Sequence, residues 1–260
     1  MNRAVFVLTV RLRAATALAA ALGMTAVILM VGALFPSVGG SIGRLHVPEG
    51  VANLLGGADY GTITGWMRSE IGAVYGPLVV AATAISAAVA STAGEEEAGI
   101  LALVLAHPVE RGRLVLDQAA ATAVVVVIVA CGTWIGLVLG VAAAGGGISV
   151  ADTTALVVHL AGFGFAIGAI ALALATTTGR RSLAVGGAAA FAVFSFLLNG
   201  FAPLLNGFTW LKYLSLFYYY SGHDPISGGI EVSGLVVLGL IACISTAIAV
   251  IGLRRRDLRA

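Results

Sequence analysis

The 260-residue chain is 60% hydrophobic and 10% charged, with a net charge of +2 and a mean hydropathy of +1.05. A soluble domain of this length carries about a quarter charged residues, so the composition excludes an ordinary soluble globule and points to one all-α polytopic membrane domain over residues 1–260. Cys131 and Cys243 both fall inside oily runs with no CxxC or Cys/His spacing, which argues against a disulfide and against a metal site.

The first oily run, Ala14–Phe35, follows Arg3, Arg11 and Arg13. A signal peptide has a similar basic start, but its apolar region is only about 7–15 residues. The longer run is expected to be a retained helix, with a cleaved signal as the alternative. In the link Pro36–Glu70, Val51, Leu54 and Leu55 suit a short outer amphipathic helix. Further spans are expected at Ile71–Thr92, Leu114–Ala143, Thr153–Thr178, Leu183–Leu205 and Val232–Leu253; all reach the roughly 20 residues a bilayer needs, and the third and fourth runs are long enough to tilt or project from it. The links "GGGISVAD" and "GRRS" are tight, so the fourth and fifth spans form a hairpin.

On the third span Gly132, Gly136 and Gly140 recur at i, i+4, i+8, and Gly164 and Gly168 repeat the idea on the fourth. Such stripes let backbones approach closely, either within the subunit or at a subunit interface. Between the last two spans, "NGFTWLKYLSLFYYYSGH" is too polar to cross. Its Trp210, Tyr213 and Tyr218–Tyr220 suit an aromatic headgroup belt, with Phe217, Tyr218, Tyr219 and Tyr220 as an alternative external gate.

Basic residues set the expected orientation. With the N-terminus inside, the inner side holds Arg3, Arg11, Arg13, Arg111, Arg113, Arg180, Arg181, Arg254, Arg255, Arg256 and Arg259, and the outer side only Arg44, Arg68 and Lys212. Both termini are therefore expected in the cytoplasm.

That orientation places "AGEEEAGILALVLAHPVERGR" on the inner side. Each of Glu95–Glu97 held at mid-membrane costs about 2.5–3.5 kcal/mol, so the segment must leave the hydrocarbon. Glutamates favour a helix start and the residue before Pro108 avoids helical geometry. A short helix over about 95–106 follows, with an apolar body of Ile100, Leu101, Leu103, Val104 and Leu105. A solvated loop does not tolerate so apolar a body. It either rests at the membrane surface or docks a cytoplasmic partner.

These residues resemble the cytoplasmic coupling segment of type-2 permeases of bacterial ATP-binding cassette transporters. Glu96, Glu97, Gly99, Leu101, Leu103, Leu105, Pro108, Val109 and Arg111 carry the likeness, with Ile100 where threonine is common, Ala102 where a second glutamate is common and Asp117 roughly where a lysine is frequent; the resemblance gives these residues, with Glu95, the role of coupling to an ATPase. The later "LFYYYSGHDPISGG" is similar to that family's outer aromatic segment, with Leu216 in place of the usual proline. The resemblance implies the permease subunit of an exporter in the bacterial inner membrane, with a short cytoplasmic coupling helix between the second and third helices. It implies a second permease subunit, the same or different, and two copies of a separate ATPase that bring the ATP and magnesium. No nucleic-acid partner is implied.

The chain has no Walker A motif, since Lys212, its single lysine, follows Leu211, and neither a catalytic residue nor a bound cofactor is expected in it. Two other functions compete. Ion-coupled carriers keep ionisable groups inside the membrane, whereas here Asp117 and His159 fall near span ends. A membrane-embedded enzyme lacks its usual signatures, since there is no GxSxG and no HExxH. His46, His107, His159 and His223 are scattered, and His159 reads as a packing residue.

Overall fold

The computed structural model describes residues 3–42, 48–57, 59–101, 110–205 and 207–256. Every regular element among them is helical. This is what lipid demands, because a backbone without water must satisfy its own hydrogen bonds within each segment. Among the described residues six helices are long and apolar enough to cross a membrane: Phe6–Ser41, Ile63–Ala90, Arg111–Ala143, Val150–Thr178, Arg181–Leu204 and Val232–Arg255. They are spans one to six. An even number of these crossings brings the start of span one and the end of span six to one side, called here the termini end; the other is the far end.

Two boundaries differ from the sequence expectation. The first helix runs Arg3–Ile42 and passes straight through Pro36, where the sequence suggested a stop. The second span starts at Ile63, ahead of Ile71, and takes in Arg68 and Glu70 within the wide π-helical turns Arg68–Tyr75. Arg68 is affordable there because it is ion-paired with Asp224 and donates to Ser227 Oγ at 2.9 Å and to the Gly56 carbonyl at 3.4 Å. A hydropathy argument sees the charge but not its partner. The expected outer helix is present as Glu49–Leu54, and Leu54 lies over the bare Cα of Gly200 on span five.

Span four is the axis of the bundle, in contact with spans two, three, five and six. Its Leu160, Phe163, Ile167 and Leu172 are fully buried. Spans one, five and six lie outside and keep apolar faces outward, with Leu22, Phe194 and Ile244 among the most exposed side chains.

The glycine stripe packs inside the subunit. A Cβ added at Gly132 would stand 2.7 Å from the Ala21 Cα, and one at Gly140 would stand 2.7 Å from the Ile28 carbonyl oxygen. Thr25 Oγ1 donates across the joint to the Gly132 carbonyl at 2.8 Å. Spans one and three thus meet backbone to backbone, as small residues allow. Gly164 and Gly168 on span four instead make room for side chains, those of Val80 and Val126 and those of Thr122 and Ala84.

Candidate functional site

After span two, residues 91–101 make an elbow at the termini end. A five-residue helix, Ala93–Glu97, carries Glu95 and Glu96 in its first turn. It stops at Ala98, and Gly99 takes the left-handed φ of +73°, which favours glycine because a Cβ is strained there. The Gly99 amide donates to the Glu96 carbonyl at 3.0 Å, closing the turn. The expected single helix from Glu95 is therefore broken at Gly99 before helix resumes at Ile100.

The first two side chains after this break differ in what they face. Ile100 is exposed, while Leu101 is 2% exposed and belongs to the main apolar core. Leu101 is thus an internal anchor and not the outward-facing one the sequence suggested. Leu103, Leu105 and Pro108 lie outside the described residues, as do His46 and His107.

The three glutamates are tied into this chain. Glu96 is ion-paired with Arg256, whose Nε donates to the Thr176 carbonyl at 3.1 Å. Glu97 Oε1 accepts from the Arg181 backbone amide at 2.8 Å, so it sits at the start of span five, where helices favour negative charge. Glu95 is half-buried. Burial pushes its carboxyl above the usual glutamate range, and Arg13 on span one offsets part of that shift.

Arg111 also turns inward. Its guanidinium donates to the Arg256 carbonyl at 3.0 Å and to the Leu253 carbonyl at 3.4 Å. It thereby satisfies carbonyls that the end of span six leaves without helical partners. Arg111 is thus a brace within the chain, and no local sequence signal pairs Arg181 or Arg256 with the elbow.

At the far end, the expected gate residues divide. Phe217 and Tyr220 are buried, and both rings pack edge-on or tilted against Phe163. The Tyr220 hydroxyl donates to the Gly72 carbonyl at 2.7 Å, inside the π-helical turns of span two. Tyr218 and Tyr219 stay at the rim, near Tyr213 and Lys212. The helix Leu216–Ser221 is held on span five by Ser195, whose Oγ accepts from the Leu216 amide at 2.7 Å. His159 is a packing residue: Nδ1 lies 2.9 Å from the Ala155 carbonyl, and Nε2 meets the Glu231 backbone amide at 3.3 Å.

Three cavities follow the seam between spans two and five. The one at the termini end, about 310 Å³, is lined by Ile85, Val89, Val185 and Ala189 with Arg181 at its edge. The middle one, about 180 Å³, is lined by Pro77, Ala81, Ala192, Phe196 and Phe217 and is almost wholly apolar. The far-end one, about 280 Å³, shares Phe196 and Phe217 and adds Asn53, Asn199, Ser221, Arg68 and Asp224. The seam is therefore an apolar furrow with polar groups at both ends. Glu97 touches its termini-end edge through Arg181, and Phe217 forms its far-end wall.

Residues 3–254 match the family model described as multidrug efflux system permease Rv1217c, C-terminal domain. None of the curated proteins matches the chain.

Proposed function

The chain belongs to the family of multidrug efflux system permease Rv1217c, C-terminal domain, and from that premise we propose that it is the permease subunit of an ATP-driven exporter in a bacterial inner membrane. Both termini lie in the cytoplasm, and two ATPase subunits dock at the elbows of a pair of permeases. The furrow between spans two and five carries this reading. Paired with that of a second permease, same or different, it lines a path for an amphipathic or lipophilic cargo. Its apolar middle accepts hydrocarbon, and its polar ends release the cargo to headgroups and water.

The elbow supplies the transmission. Ile100 stands exposed at the break, ahead of Leu103 and Leu105. A push on it reaches span five through Glu97 and Arg181, span four through Arg256 and Thr176, and span six through Arg111. Each contact joins the elbow to the end of a helix, and helices move as stiff bodies.

Membrane vesicles containing the chain together with its ATPase test the proposal. Export of a lipophilic fluorescent dye is expected to require ATP and to persist when an ionophore collapses the proton gradient. Ala192→Trp, which fills the furrow's middle, should stop export while the subunit still inserts. Export that follows the proton gradient and ignores ATP would favour an ion-coupled carrier instead.

A further inference from the structure

We propose that a second groove, between spans three, four and six, binds an anionic phospholipid, with an acyl chain in the groove and the phosphate on Arg113 and Arg254. The groove measures about 430 Å³, within the roughly 300–1,000 Å³ typical of small-molecule and cofactor sites. It is separate from the furrow, which draws no lining residue from span three or span six. Leu172 of span four forms the floor. Leu116 and Thr122 of span three and Cys243 and Thr246 of span six form the walls. Leu116 and Cys243 are exposed, so the groove opens sideways, toward lipid.

Its polar groups are already satisfied. Thr122 Oγ1 donates to the Gln118 carbonyl at 2.9 Å and Thr246 Oγ1 to the Ala242 carbonyl at 2.8 Å. Both bonds turn inward along the residue's own helix and leave the lining to present hydrocarbon. An occupant with polar groups would lose hydrogen bonds there, whereas an acyl chain loses none.

The lip at the termini end has the opposite character. Arg113 lies one turn before Leu116, and Arg254 one turn after Val250. Arg254 crosses onto span three over Gly112, where an added Cβ would stand 2.8 Å from its Nε. Both guanidiniums meet one carboxylate: Arg113 Nε is 3.3 Å from Glu110 Oε2, and Arg254 pairs with Oε1 of the same group. Two cations on one anion leave positive charge over, and both arginines remain more than half exposed. Guanidinium forks suit phosphate oxygens. The lip stands one helical turn from the groove, as a headgroup stands from the first carbons of its chain.

The two cysteines supply a test without new labels. Cys243 lines the groove and Cys131, also exposed, does not. In the purified full-length chain in neutral detergent, alkylation of each by N-ethylmaleimide is followed by mass spectrometry. Phosphatidylglycerol is expected to slow Cys243 about fivefold or more relative to phosphatidylcholine, from about fivefold per basic residue near anionic headgroups, and to leave Cys131 unchanged. The double variant Arg113→Gln, Arg254→Gln should erase that preference. Equal protection by both lipids would overturn the proposal in favour of an unselective apolar groove. Protection by glycerol phosphate, which has no acyl chain, would overturn it in favour of a soluble phosphate. As a second measurement, Thr246→Trp should fill the groove and remove one phosphatidylglycerol from the intact chain in native mass spectrometry, and an unchanged count would also overturn it.

Discussion

Arg256, at the end of span six, is ion-paired with Glu96, in the elbow between spans two and three. The pair is largely withdrawn from solvent, with side chains 19% and 4% exposed, and Arg256 also holds the last turn of span four through the Thr176 carbonyl. One guanidinium thus fastens three parts of the chain.

Breaking one partner of a buried pair leaves an uncompensated charge and costs about 3 kcal/mol or more. Glu96→Ala and Arg256→Ala are each expected to lower the thermal midpoint of the detergent-purified chain clearly. The double variant should lose much less than the sum of the two. Additive losses would show that the two groups are not energetically coupled.

The neighbouring Glu95 acts in the opposite sense. Burial raises its pKa in the folded chain, so folding favours its protonated form. Its contribution to stability is fully present below the ordinary value of 4.5 and is lost as pH rises from there through the raised folded value. Glu95→Gln is expected to flatten the fall in thermal midpoint above pH 4.5 and to leave the protein at least as stable at pH 7. A variant less stable at pH 7 would mean that attraction to Arg13 outweighs burial.

The joint between spans one and three predicts a graded glycine series. Gly132→Ala drives its methyl into the Ala21 backbone, and Gly136→Ala meets the Thr25 Cα at 3.0 Å, where a small shift suffices. Overpacking costs about 1–3 kcal/mol. Gly132→Ala should fall at the upper end of that range and Gly136→Ala at the lower, with Gly136→Leu failing to fold. Because the joint lies within one subunit, thermal midpoints should fall without any dependence on protein concentration.

Docking of the ATPase is expected to depend on the outward apolar side of the elbow. Burying one leucine-sized side chain is worth about 1.5–3 kcal/mol, so Ile100→Asp and Leu103→Asp should each reduce copurification of the ATPase at least tenfold and uncouple its hydrolysis from export. Leu101→Asp should behave differently and destabilise the permease itself, since Leu101 is in the core. Full retention of the ATPase by Ile100→Asp would mean that the elbow rests on the membrane surface.

Orientation is checked by single cysteines in a background lacking Cys131 and Cys243. Ser227→Cys at the far end should react with a membrane-impermeant maleimide added to intact cells, and Ala260→Cys should react only after permeabilisation. The reverse pattern would invert the bundle.

The sequence by itself determined the number of crossings, the all-helical class, the place of the elbow and the residues where helices approach closely. The transfer cost of a side chain and the need to satisfy the backbone in lipid are nearly local quantities, so runs of residues reveal them. Partnership is not local. Span two starts at Ile63 because Asp224, far along the chain, neutralises Arg68. Leu101 faces inward because Gly99 turns the elbow, and Arg111 is spent on span six carbonyls. The same stripe of Gly132, Gly136 and Gly140 would have served a subunit interface equally well, and span one occupies it. The energy of a charge or a bare backbone depends on what lies within a few ångströms of it, and only the tertiary structure decided which residues those were.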